Sequence, residues 1–331
     1  MSSSLSEDLK PIKDLLLTWG VVSNDSDLKL SILGGGISNL IVKVQSSEGT
    51  WVLKQPLEKL KANEDWYADR SRVLREVACL EVIRKYVGEE YAPRVLFEDK
   101  ANYACLLEYA PDGTTNWKQE LLHGNVNPNV TEKVARFLSQ FDLNTRGVKS
   151  IKEEFRDITN FLQLRIDPYL LFLADQHSDL KGQLKEIVTG LTSIQITLVH
   201  GDFSPKNILL LPDGRLWIID AEVAHYGNHA FDIAFCLTHL ILKSLHLKSP
   251  SHLREAKSFW RHYWKESEEL GQQNFTVRVL AGLMLARIDG KSPVEYLAED
   301  VRSRVRKLSR QLIEQRVDDF DQLVGIVEEE L

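Results

Sequence analysis

The stretch LVHGDFSPKNILLLPDGRLWIIDAE, Leu198 to Glu222, places a polar loop ahead of two short apolar runs. Ile208 to Leu211 and Leu216 to Ile219 flank Pro212-Asp213-Gly214, whose proline and glycine suit a tight turn, so the spacing predicts a hairpin. A hairpin sets the residue before its first strand beside the residue after its second. Asn207 and Asp220 therefore converge, with Asp202 standing just upstream in the same loop. A carboxylate and an amide carbonyl are hard oxygen ligands of the kind Mg2+ takes, with waters completing its shell. A second carboxylate, at Asp202, can orient a hydroxyl and accept its proton. Phosphoryl transfer needs that combination: an oriented acceptor, in-line geometry and neutralised phosphates.

Upstream, the pattern predicts a small β-rich lobe over residues 1–108 and a larger, mostly helical lobe over 109–331. Residues 7–19 have the apolar spacing of a short amphipathic helix (Leu9, Ile12, Leu15, Leu16, Trp19). Strands are expected at Leu28 to Leu33, Asn39 to Gln45, Trp51 to Gln55, Arg94 to Glu98 and Tyr103 to Glu108, with a helix over Asp65 to Tyr86. Gly34, Gly35 and Gly36 lie between the first two strands, where a glycine loop lets the backbone approach phosphates, with Ser38 and Asn39 as donors. Lys54, on a strand, can reach α and β phosphates. Glu76, mid-helix beside Val77, Leu80 and Ile83, is the preferred partner for it over Glu64, Asp65, Asp69 and Glu81. Leu106 to Gly113 reads as a strand running into an interlobe turn, where the backbone of Glu108 and Ala110 can meet an adenine edge. In this order, the glycine loop, strand lysine, helix glutamate and hairpin point to ATP as phosphoryl donor.

Composition narrows the partners. The 331-residue chain is 43% hydrophobic and 27% charged, enough for two lobes with a shared core. A net charge of −7 argues against nucleic acid or an anionic membrane surface as the main partner. The three cysteines, Cys79, Cys105 and Cys236, sit in apolar segments without a CxxC pair, as buried thiols of a reducing compartment do. No signal-like leader is visible, and no apolar run is expected to approach the eighteen or so residues of a membrane span, so the cytoplasm is the expected location. His225 and His229 lack further ligands at matching spacing and fall in an expected loop around Gly227, which argues against zinc. Gly290 and Pro293 read as the end of one helix and the start of the next, which accounts for the segment around Arg287 and Asp289. Apolar residues from Val301 to Val327 recur at helical spacing, to pack on the body or on a second copy of the chain in a homodimer.

HGDFSPKN followed by IIDAE resembles the aminoglycoside phosphotransferase and choline kinase-like superfamily, the small-molecule branch of the protein-kinase fold. The resemblance covers about Leu28 to Leu240 and implies an α+β, protein-kinase-like, two-lobed fold. It implies Asp202 as catalytic residue, Asn207 and Asp220 as magnesium ligands, and Lys54 with Glu76 as the phosphate-contacting ion pair. Asp232, in Phe231-Asp232-Ile233-Ala234, is implied as a brace for the catalytic loop, and Lys206 as a basic residue near the γ-phosphate. Ile219 to Gly227 is similar to methylthioribose kinases, with Asp-x-Glu followed by Tyr-Gly, which makes Glu222 a second carboxylate candidate for the metal. That group commonly lacks the asparagine present here at Asn207.

The expected activity is ATP-dependent phosphorylation of a hydroxyl on a small molecule, first a ribose-like sugar, with an aminoglycoside or amino alcohol of the choline or homoserine type as the alternative. A protein substrate fits poorly, because Asp220 and Asp232 are too close for a long activation segment. A reading from a different class is a nucleotide-binding scaffold without turnover. Against it, none of the catalytic residues is replaced.

Overall fold

The computed structural model describes residues 9–23, 28–34, 39–59 and 68–331. The first lobe has helix α1 (Lys10–Thr18), strands β1 (Lys29–Ile32), β2 (Asn39–Ser46) and β3 (Gly49–Pro56), helix α2 (Arg72–Tyr86), then β4 (Val95–Asp99) and β5 (Ala104–Glu108). The strands form one antiparallel sheet in the order β1-β2-β3-β5-β4. Successive side chains on a strand point to opposite faces, and that alternation gives the sheet two distinct sides. Val42, Val44, Leu53 and Leu106 form one face and take Ile12 and Leu16 of α1. Lys54 follows Leu53 and so points to the other face, in register with Cys105. Helix α2 covers that face with Val73, Glu76, Val77, Leu80 and Ile83, residues three or four apart along one side of the helix.

The second lobe is built from β6 (Thr115–Asn116), α3 (Trp117–Leu122), α4 (Pro128–Thr145), a π-helical segment at Leu162–Leu171, and α5 (Lys181–Ser193). Strands β7 (Thr197–Val199), β8 (Ile208–Leu210), β9 (Leu216–Ile218) and β10 (His225–Gly227) follow, then α6 (Ala230–Leu247), α7 (Pro250–Ser267), α8 (Gln273–Asp289), α9 (Glu299–Glu314) and α10 (Phe320–Glu328). The predicted hairpin is β8–β9, with Ile208 opposite Ile218. Gly214 closes its turn at φ +81°, a left-handed conformation that glycine adopts without a Cβ clash.

Two expectations are corrected. His225-Tyr226-Gly227 is not a loop: it is strand β10, paired with β7 so that His225 faces Val199. The Tyr226 hydroxyl donates to the Ile196 carbonyl at 2.6 Å and accepts the Gly147 N–H at 2.8 Å, which fixes the strand in place. Nor does every apolar segment fall short of the length of a membrane span. Helix α6 has the length and composition of a membrane span, yet 89% of that window is buried inside the protein, as the central helix of the lobe. The apolar side of the last two helices is covered within the chain, since Val305, Leu308, Leu312, Leu323 and Val327 are all buried.

Candidate active site

The hairpin brings Asn207 and Asp220 together by backbone pairing: the Ile219 N–H donates to the Asn207 carbonyl at 3.0 Å. Both hydrogens of the Asn207 amide are committed to Asp202, to its backbone carbonyl at 2.9 Å and its carboxylate Oδ2 at 2.8 Å. The Asn207 side-chain oxygen is thus the end of the amide left for a cation. Asp220 is held at φ +68°, a left-handed conformation that aspartate tolerates better than most residues. In this conformation its N–H donates to Glu76 Oε1 at 3.1 Å, while its carboxylate Oδ1 accepts from Lys54 Nζ.

Lys54 also pairs with Glu76 Oε2 at 2.6 Å. Glu76 therefore bridges α2, β3 and the end of β9 through both of its oxygens. Burial would lower the Lys54 pKa, but Asp220, Glu76 and Glu222 outweigh it and hold it above the usual lysine value. Burial pushes Glu76 up to about 7 despite the neighbouring ammonium. Burial would also raise Asp220, and Lys54 and Lys206 overcome that to keep it well below the usual aspartate value. With a side chain 22% exposed, against 1% for Glu76 and 5% for Asp202, Asp220 is the carboxylate of this group most open to a ligand.

Asp202 is enclosed by positive charge. Arg165 reaches its Oδ1 at 2.9 Å and Lys206 its Oδ2 at 2.9 Å. Burial opposes ionisation, but these two cations prevail and the carboxyl sits below its usual range. The loop beneath it is braced as the family resemblance implied: the His200 and Gly201 N–H groups donate to Asp232 at 2.6 and 2.9 Å. Gly201 has φ +78°, and a Cβ there would come within 2.8 Å of the Val223 carbonyl oxygen. His200 donates through Nε2 to the Ile219 carbonyl at 3.2 Å and accepts the Asp202 N–H at Nδ1, also at 3.2 Å. That pair of bonds requires a neutral ring, and burial pushes its pKa down to about 4.

Other expected site residues fall differently. Gly35, Gly36 and Ser38 lie outside the described residues. A Cβ at Gly34 would meet nothing within 4 Å, so no contact among the described residues requires glycine there. Asn39, expected as a phosphate donor, gives its side-chain N–H to Glu222 Oε2 at 2.9 Å. The same oxygen accepts Arg72 Nε at 3.1 Å, so Glu222 ties β2 and α2 to the segment just after β9 through its Oε2. The Glu108 N–H is not available for adenine, because it donates to the Arg94 carbonyl at 2.9 Å. Lys206 pairs with Asp202 while 47% of its side chain stays exposed. His225 and His229 share no metal-ligand cluster among the described residues. Asp289 is a structural partner of Arg306 and His177.

Two residues escaped the sequence reading. Arg165 lies in the π-helical segment; its Nε donates to the Gly201 carbonyl at 2.8 Å as well as pairing with Asp202. Its only trace in the sequence is a lone basic residue inside the apolar run Phe161 to Leu173. Arg72, fully buried, carried a clearer signal, since it precedes Glu76 by one helical turn on the buried side of α2.

Residues 29–270 match the family model described as the phosphotransferase enzyme family. The methylthioribose kinase of Escherichia coli is 27% identical over 242 residues, covering 65% of this chain and 57% of that protein. The chain thus spans less than two thirds of that relative. A methylthioribose kinase of Yersinia pseudotuberculosis is 25% identical over 279 residues, covering 75% of this chain and 67% of the other. Among solved structures, a Plasmodium vivax ethanolamine kinase superposes with a TM-score of 0.59 at 16% identity, covering 92% of this chain and 86% of that one. Choline kinase LicA from Streptococcus pneumoniae gives 0.52 at 14% identity, covering 93% and 99%. These two likenesses bear on the fold, which is protein-kinase-like.

Proposed function

The chain belongs to the phosphotransferase enzyme family, and on that premise we propose that it transfers the γ-phosphoryl group of ATP to a hydroxyl of a small molecule. The observation that supports this most directly is the continuous network Glu76–Lys54–Asp220 beside Asn207–Asp202. It joins a phosphate-binding cation, two oxygen ligands and a hydroxyl-orienting carboxylate across both lobes. Asn207 and Asp220 fit magnesium by donor chemistry, one amide oxygen and one carboxylate. A magnesium ion there would neutralise phosphate charge, and Glu222, already clamped by Arg72 and Asn39, is left out of the ligand set.

Lys54 is rigidly aimed by its two carboxylates and contacts the phosphates. The acceptor hydroxyl lies at Asp202, which orients the oxygen toward the γ-phosphorus. The bond from that phosphorus to the ADP oxygen breaks as the bond to the acceptor oxygen forms, and the hydroxyl proton passes to the Asp202 carboxylate. A carboxylate made this acidic is a weak base, so its main contribution is orientation, and a loose transition state demands little more. A ribose-like sugar is the favoured acceptor class, supported by relatives named methylthioribose kinases.

The test is ATP-dependent transfer of labelled phosphate to pentoses, methylthioribose, choline, homoserine and an aminoglycoside. Transfer to a sugar hydroxyl supports the reading, whereas ATP binding without transfer to any of them would favour the scaffold. Arg165 offers a second check. With Arg165→Met, the Asp202 carboxyl loses a cation that lowers its pKa, so the acid limb of kcat/KM should move to higher pH. An unmoved acid limb would show that Asp202 is not the group titrating there.

A further inference from the structure

Helix α6 carries a cation that this network does not use. Lys243 is fully buried at 0% exposure, and its ammonium turns back one helical turn to donate to the His239 carbonyl at 3.2 Å. The Tyr296 ring lies 5.2 Å away, and Lys243 forms no ion pair among the described residues. Glu295, the carboxylate that acts on it, is already taken by Lys118. Burial pushes the Lys243 pKa down to about 7. From the adjacent helix α8, Arg287 is 9% exposed and forms no ion pair among the described residues, though Glu295 acts on it from a distance as it does on Lys243. It donates to the Tyr169 hydroxyl at 3.0 Å and the Ser292 hydroxyl at 3.2 Å, and its Nε is buried without a hydrogen bond.

Burying cations without acids is costly unless an anion completes them. These two are also close to the reaction centre. Arg287 and Arg165 both stack near the Tyr169 ring, at 5.5 and 5.8 Å, and Arg165 holds Asp202. Asp232, under the catalytic loop, and His239, level with the Lys243 ammonium, are both on α6. Their separation along the helix is about 10 Å at 1.5 Å per residue, the length of a small sugar derivative. The segment between α8 and α9 supplies Ser292 and Tyr296 and covers the pair.

We infer that the acceptor bears an oxyanion, a carboxylate or a phosphate monoester, at the end away from its reacting hydroxyl, and that this anion docks between Lys243 and Arg287. Its oxygens replace Ser292 on Arg287 and complete the Lys243 ammonium as the covering segment shifts. The inference rests on the phosphotransferase reading for the identity of the ligand as acceptor; it disfavours choline and aminoglycosides, whose charge is positive, and neutral methylthioribose, in favour of anionic ribose derivatives.

Titration calorimetry with ribose, ribonate and ribose 5-phosphate, in the presence of a non-hydrolysable ATP analogue, tests it without requiring turnover. At least one anionic derivative should bind the wild type ten-fold or more tighter than ribose, and which one does so separates carboxylate from phosphate. Lys243→Met should abolish that preference while melting no lower than the wild type, because it removes a buried unpaired charge. Equal binding of all three sugars to the wild type, no binding of any, or a preference retained in Lys243→Met overturns the inference. Phosphoryl transfer to the anionic derivatives with equal kcat/KM in both proteins would also overturn it, leaving the phosphotransferase reading intact. Anion preference without any transfer would support the site and defeat that reading instead.

Discussion

Asp202→Ala should lower kcat for phosphoryl transfer by about 10²–10⁴-fold, the range for a positioned acid–base group, while ATP still binds. The nucleotide contacts assigned to Lys54 and Asp220 do not pass through the Asp202 side chain, whose own partners are Arg165, Lys206 and Asn207. Removing the carboxylate leaves Arg165 and Lys206 facing each other, so ATP affinity should hold or rise through the added positive charge. Asp202→Asn keeps the volume but offers the hydroxyl only a neutral acceptor and leaves Arg165 and Lys206 without their counter-charge, so it should also lose much of the rate. Single-turnover transfer and calorimetric ATP affinity, measured on the same preparations, separate the two effects. A kcat within three-fold of wild type in both variants would remove Asp202 from the reaction.

Lys54→Met should affect both activity and stability. It strips the shared cation from two carboxylates, and breaking a buried pair from one side costs about 3–5 kcal/mol. The sign of the pH dependence follows from Glu76, whose pKa is already pushed up to about 7 by burial. A carboxyl with a raised folded pKa favours the folded state when protonated, so its ionisation costs stability as pH rises from the usual glutamate value through 7. Without Lys54 that cost grows. The deficit of Lys54→Met against wild type should therefore be largest above pH 7 and shrink toward pH 5 in paired denaturant titrations. ATP affinity should fall at every pH. A deficit that widened on acidification would contradict the Glu76–Lys54–Asp220 arrangement as the source.

The parts of the site that were legible in the sequence are those fixed by local geometry. The turn at Pro212 to Gly214 sets the hairpin register, and the register sets Asn207 beside Asp220. Strand alternation put Lys54 on one face, and the apolar neighbours of Glu76 put it on the matching face of α2. Residues whose roles depend on distant partners were not legible in this way. Glu222 was a candidate metal ligand through its resemblance to methylthioribose kinases, and Arg72 and Asn39, 150 and 183 residues away, claim its Oε2. The backbone of Glu108 and Ala110 looked available at a strand exit, but the carbonyl of Arg94, on the adjacent segment, takes the Glu108 N–H.

The sequence by itself determined the grouping of the proposed site residues, because short-range periodicity and turn chemistry dictate which side chains leave one hairpin and one strand face together. Only the tertiary structure decided what surrounds that machinery. Arg165 from the π-helical segment makes Asp202 acidic, and Lys243 and Arg287, on neighbouring helices, share only Glu295, which Lys118 already pairs. Electrostatic environment is set by which charges are buried side by side. Packing brings them there from positions that carry no mutual spacing in the chain.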